Sequence, residues 1–114
     1  MSTENNLDVL FDNSVQILSD LIAFKTISVE YNNSLIDYCD NILKKLGATS
    51  FRTFDDHKKR VNLFATIKSK TNSNKKPIIL SGHTDVVPVS KGWSTDPFKA
   101  TIKGINFMEE DHVI

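Results

Sequence analysis

Several things are scarce in this chain. It has a single cysteine, Cys39, so no internal disulfide can form, and such thiol usage suits a reducing cytosol. Net charge is lacking as well, because fourteen basic side chains cancel fourteen acidic ones. That balance offers no face-wide attraction to nucleic acid or to an anionic membrane. No uninterrupted apolar run approaches the length needed to span a bilayer. The polar, acidic N-terminus carries neither the basic segment nor the apolar stretch of a secretory signal. Asn32-Asn33-Ser34 is formally a glycosylation sequon, but no secretory context supports its use. Internal repeats are missing too, and the only low-complexity stretch is a short polar loop. Together these absences predict a cytoplasmic protein with no nucleic-acid partner and no membrane partner.

What remains is ordinary globular material. Hydrophobic residues make up 39% and charged residues 25%, and 114 residues suffice for one small domain. Leu10, Ile17, Leu18, Leu21, Ile22 and Phe24 recur at helical spacing and predict a helix over 7–27, ended by Thr26-Ile27-Ser28. Asn33 or Ser34 can cap a second helix, whose apolar stripe is Leu35, Tyr38, Cys39, Ile42 and Leu46. Lys44 and Lys45 in its last turn complement the helix dipole, and Gly47 supplies the left-handed residue that ends it.

Strands are predicted over 48–54, 61–67 and 77–80, with polar connectors at 58–60 and 68–76. The continuous apolar run Ile78-Ile79-Leu80 suits a strand buried on both faces. The order helix, helix, strand, strand, strand predicts an α/β layer with helices covering a mixed sheet. Phe51, Phe54, Phe64, Trp93 and Phe98 are read as core packing, and Cys39 as an inert thiol on the second helix. His57 is assigned to the surface, and Lys75-Lys76 to a solvated loop.

The chemistry is concentrated in Leu80-Ser81-Gly82-His83-Thr84-Asp85-Val86-Val87-Pro88. In extended backbone, residues i and i+2 point to the same side, so His83 and Asp85 can act together. The imidazole can bind a metal through one nitrogen while the carboxylate fixes the ring through the other. By itself the pair also reads as a polar turn, with the aspartate capping backbone and the histidine solvated.

The flanking residues extend the pattern. The run LSGHTDVVPV, then Trp93 and Asp96-Pro97-Phe98, resembles the M20 family of metal-dependent amidohydrolases and peptidases. Arg60 to Ile67 matches the strand that precedes the metal strand in that family, and Leu35-Ile36-Asp37-Tyr38 with its helix also fits. The resemblance covers about residues 7–104 and only the N-terminal part of such an enzyme. It implies that residues 1–104 are the N-terminal portion of an α/β sandwich catalytic domain. It also implies His83 as a metal ligand and Asp85 as the candidate catalytic residue, orienting the imidazole.

In the family these residues belong to a two-metal site, here expected to take Zn2+ or Co2+. A bridging aspartate, a glutamate base beside a metal-binding glutamate, another acidic ligand and a distant histidine complete it. None of those is recognisable in this chain. The implied substrate is a small N-acyl amino acid, with removal of acetyl from N-acetylornithine in arginine biosynthesis as the leading expectation. Desuccinylation of succinyl-diaminopimelate and dipeptide or carboxypeptidase cleavage are the enzymatic alternatives; a non-catalytic α/β module is another. The complete enzyme is expected to be a homodimer.

The last ten residues break the pattern. After Lys103-Gly104 the family would continue with a basic residue, LYGRG, a short spacer and CDMKG, whereas this chain reads Ile105 to Ile114 as INFMEEDHVI. Read from the third base of the Ile105 codon, the codons allowed by these residues contain KLYGRG, then Pro or Ser, then CDM. The single methionine codon at Met108 forces the first glycine. Residues 105–114 therefore read as an out-of-frame tail, and Glu109, Glu110, Asp111 and His112 are set aside as ligands. A natural short C-terminus is the alternative. On the frameshift reading the 114-residue polypeptide lacks most of the site and is itself inactive.

Overall fold

The structure is a computed structural model that describes residues 3–71 and 74–103. Its elements run α1 (Thr3–Ala23), α2 (Asn33–Lys45), β1 (Thr49–Phe54) and β2 (Val61–Thr66). The described part is thus α/β, two helices with a two-stranded antiparallel sheet. No helix among the described residues is long and apolar enough to cross a membrane. The proposed out-of-frame tail lies outside the described residues.

α2 forms where the 3.6-residue stripe predicts it. Leu35 and Ile36 are buried and join Val61 in a small core, against which Leu21, Phe24, Cys39 and Leu63 pack. The helix closes with a paired hydrogen-bond motif. Gly47 N–H donates to the Lys44 carbonyl at 2.9 Å, and Ala48 N–H donates to that of Leu43 at 3.0 Å. Gly47 has φ +85°, the left-handed geometry this ending requires. The residue before the helix is Asn32, and its side chain makes no capping bond. Its amide instead grips the start of β2. Oδ1 accepts from Val61 N–H at 2.8 Å, and Nδ2 donates to the Val61 carbonyl at 2.9 Å.

Arg52 on β1 ties the hairpin to the same helix. Its Nη1 lies 2.5 Å from Asp37 Oδ1 and its Nη2 2.6 Å from Asp40 Oδ2, with Lys44 Nζ 2.9 Å from that same oxygen. Asp40 is 1% exposed, covered by its neighbours although it does not lie deep in so small a body. The Ser50 hydroxyl, Lys44 and Arg52 hold its carboxyl well below the usual carboxylate range.

Phe24, just past the end of α1, meets Tyr38 of α2, the two rings 5.7 Å apart and tilted. The Tyr38 hydroxyl donates to Asp20 Oδ2 at 2.7 Å. That hydrogen bond, with burial and the nearby negative charge, pushes the phenol up to about 12. α1 ends at Ala23, four residues before the predicted limit. Thr26 and Ile27 are β-branched and fit a helix poorly, and they are used elsewhere in the fold.

The strands pair in register from Thr49↔Thr66 to Phe54↔Val61. Asp55 folds the connecting loop, accepting from the backbone N–H groups of Lys59 at 2.7 Å and Arg60 at 3.0 Å. His57 in this loop is exposed, as expected.

Two sequence expectations are corrected. Residues 77–80 form no strand; Ile78, Ile79 and Leu80 are 89%, 75% and 92% exposed. An apolar run becomes a buried strand only when it pairs with a sheet edge beneath a covering layer, and residues 77–80 neither pair nor are covered. The only parallel pairing among the described residues is one bridge, Ile27↔Val86. Likewise Phe51, Phe54, Phe64 and Trp93 are exposed rather than packed in a core: Phe51 and Phe64 pair on the sheet face opposite the buried Val61, where no described residue covers them, and Phe54 sits at the strand end across from Val61; Phe98 is half-buried. Cys39 is half-buried against the core, and burial pushes its thiol up, which keeps it protonated and unreactive.

Candidate metal-binding loop

The turn between α1 and α2 organises the glycine-histidine-threonine-aspartate segment. Val86 N–H donates to the Thr26 carbonyl at 2.9 Å, and Ser28 N–H donates to the Val86 carbonyl at 3.1 Å. The Thr26 hydroxyl, on a buried residue, donates to the Thr84 carbonyl at 2.6 Å. Asn32 Nδ2, already bonded to Val61, also lies 3.4 Å from Thr84 Oγ1. Residues 84–86 are therefore held from the 26–32 turn by backbone and side chains alike.

His83 and Asp85 come together on this frame. His83 Nδ1 is 3.1 Å from Asp85 Oδ1 and 3.0 Å from the Asp85 carbonyl oxygen. The other carboxylate oxygen, Oδ2, accepts from the Ser28 hydroxyl at 3.0 Å. The Ser28 and His83 hydrogen bonds lower the Asp85 carboxyl from its ordinary value, so it is ionised at neutral pH. Both oxygens facing Nδ1 are acceptors, so in the neutral ring the proton sits on Nδ1 and the lone pair on Nε2. No group among the described residues bonds Nε2, and the His83 side chain is 86% exposed.

The imidazole thus has one nitrogen committed to a carboxylate and the other available, the arrangement a metal-binding histidine needs. The described residues contain no cluster of three or more His, Cys, Asp or Glu side chains able to hold a metal ion. His83 can contribute one ligand, and the rest of a coordination sphere has to come from elsewhere.

Two clefts flank the loop. One, of about 510 Å³, is mostly apolar, with Phe24, Leu35, Val86, Trp93, Phe98 and His83 among the residues that line it. The other, of about 600 Å³, is more polar and separates Arg60–Leu63 from Ser81–Asp85. The pairing of His83 with Asp85 expected from the sequence is present in the geometry, but the contacts of Thr26, Ser28 and Asn32 with this segment were not foreseen. Their partners lie 52–58 residues away for the contacts with 84–86, and no local pattern announces a bond of that span.

Comparison with curated proteins gives this geometry a context. Succinyl-diaminopimelate desuccinylase of Rickettsia akari is 38% identical over 93 residues, 76% of this chain and 23% of the relative. The desuccinylase of Rickettsia canadensis is 40% identical over 93 residues, 75% of this chain and 23% of the relative. Acetylornithine deacetylase of Proteus mirabilis is 33% identical over 97 residues, 78% of this chain and 24% of the relative. Over this stretch the chain is M20-family sequence. A match of such length cannot avoid the M20 segment at 82–85. The chain spans about a quarter of the length of these M20 relatives. No family model matches the chain. No solved structure matches it either.

Proposed function

We propose that this chain is the N-terminal part of a metal-dependent M20 hydrolase acting on the amide of an N-acylated amino acid. The observation that carries the reading is the Asp85–His83 pair. It sits in a segment shared with hydrolases and presents an unbonded Nε2 to solvent. On this reading His83 is a metal ligand and Asp85 its orienting carboxylate, while the remaining ligands and the general base belong to the three-quarters of the relatives that this chain does not span. A bound Zn2+ or Co2+ supplies a Lewis acid for the amide carbonyl and a water of lowered pKa. This chain's own contribution is to place one imidazole, hold its proton on Nδ1, and keep its Nε2 lone pair directed outward. The larger mixed sheet, the α/β sandwich and the homodimer expected from the family belong to the same proposal.

Acetylornithine deacetylation remains the leading substrate reading. Desuccinylation is the second, favoured by the Rickettsia relatives, and both enzyme names describe removal of an acyl group from a diamino acid. A chimera separates them. Residues 1–103 of this chain replace the matched N-terminal segment of the Proteus deacetylase and, separately, of the Rickettsia akari desuccinylase. Zinc- or cobalt-supported turnover in either host, lost on His83→Ala, is the expected result. The host in which activity survives identifies the closer chemistry. Inactivity of both well-folded chimeras would overturn the reading.

A further inference from the structure

We propose that Ser28, in the turn after α1, is a positioning residue for the His83–Asp85 pair, selecting which imidazole nitrogen carries the proton. The inference rests on the reading of His83 as a ligand for its purpose, but not for its geometry. A carboxylate that follows its histidine by two residues on an exposed loop can rotate about its own side-chain bonds. One hydrogen bond to the ring does not stop that rotation.

Ser28 supplies the second anchor. Its hydroxyl lies 3.0 Å from Asp85 Oδ2 while Asp85 Oδ1 faces His83 Nδ1 at 3.1 Å, so the two carboxylate oxygens are held from opposite sides. The same hydroxyl is 3.2 Å from the Val86 carbonyl, whose principal donor is the Ser28 backbone N–H at 3.1 Å. Ser28 is therefore fixed by the backbone bridge before its side chain acts. Thr26, two residues earlier, bonds the Thr84 carbonyl and secures the loop on its other side.

Nothing in this arrangement serves core packing. Ser28, Asp85 and His83 are all exposed, and the small hydrophobic cluster lies elsewhere, around Leu35, Ile36 and Val61. A polar chain from a helix-ending turn through a carboxylate to an exposed ring has a chemical use, which is to keep one nitrogen's lone pair outward. A hydroxyl is suited to the task because it donates to the carboxylate without adding a charge that would compete for the ring.

The test is the tautomer of His83 in the full 114-residue chain, read from its imidazole 15N shifts at a pH where the ring is neutral, with His83→Gln for assignment. The parent is expected to show mainly the Nδ1–H form. Ser28→Ala should raise the Nε2–H form severalfold, and by at least about twofold, since a hydrogen bond to a charged group is lost. Ser28→Thr keeps the hydroxyl and should retain the parental ratio. An unchanged ratio in Ser28→Ala, an equal shift in Ser28→Thr, or a parent that is mainly Nε2–H would each overturn the proposal. Titration with zinc is a separate arm. A tautomer result as expected, with zinc binding by the chimera unchanged on His83→Ala, would leave Ser28 as the positioning residue and remove the metal reading.

Discussion

Asn32 brackets Val61, accepting from its N–H at 2.8 Å and donating to its carbonyl at 2.9 Å, as a neighbouring strand would. One amide side chain thereby satisfies both backbone groups that a buried strand end would otherwise leave open. Asn32→Ala should destabilise the chain by about 1–3 kcal/mol, because both groups lose their partner at a largely covered position. Asn32→Asp keeps only the acceptor and sets a carboxylate against a carbonyl, so it should rescue little. Urea unfolding monitored by circular dichroism at low protein concentration measures both.

Gly47 makes a second, independent prediction. An added Cβ would meet nothing within 4 Å, so any cost of substitution is conformational. At φ +85°, Gly47→Ala should cost about 1–2 kcal/mol, with Gly47→Asn milder because asparagine tolerates this region. A thermal-melt series of the two variants would show the ordering, and equal stability of glycine and alanine would contradict it.

Acid and alkali should attack different contacts. Asp40 has a depressed folded value, so its contribution is present above the unfolded carboxylate range near pH 4 and is lost as pH falls through the lower folded value. Tyr38 is raised to about 12, so its contribution is present below the unfolded phenol value near 10 and disappears as pH rises through about 12. Asp40→Asn should flatten the acid limb of the stability profile, and Tyr38→Phe the alkaline limb. Stability measured across pH for the three proteins decides this. A parental acid limb in Asp40→Asn would remove Asp40 as its cause.

The exposed apolar residues of 77–80 should make the isolated polypeptide self-associate. Ile78 and Leu80 stand almost fully in water beside a two-stranded sheet whose aromatic residues are also exposed. Light scattering coupled to size exclusion should show oligomers that diminish in the Ile78→Lys, Leu80→Lys double variant. A monodisperse monomer in the parent would show that these residues find cover within one chain.

In whichever chimera is active, His83→Ala should lose metal and turnover together. Asp85→Asn should retain metal with affinity or activity reduced about 10- to 100-fold, the usual cost of losing a carboxylate behind a ligating histidine. The 114-residue polypeptide alone should not hydrolyse either acyl diamino acid, since its described residues offer no cluster of three ligands. Comparable, negligible effects of both substitutions on bound metal would refute the assigned roles.

Much of this was legible in the sequence where the cause is local. The stripe through Leu35 and Cys39 and the glycine at 47 place α2 and its end, since periodicity and backbone freedom act within a few residues. The pair at 83 and 85 was legible because alternation puts both on one side of extended chain. The end of α1 was not, because Thr26 leaves helical geometry to bond Thr84, far along the chain. Nor was the fate of Ile78-Ile79-Leu80, since pairing depends on an edge and a covering layer rather than on the segment's own residues.

The Ile27↔Val86 bridge also bears on the order of assembly. α1, α2 and the β1–β2 hairpin close through contacts near in sequence, whereas the Thr26–Thr84 contact joins residues 58 apart. Ordering so long a loop carries an entropic cost that is met only after its landing surface exists. The His83 loop should therefore be the last described part of the chain to order during refolding and the first to open on mild denaturation. Its amides, Val86 above all, would exchange with solvent through an opening far smaller than global unfolding. Reactive chemistry would then be assembled at the end of folding, on a framework that is already complete.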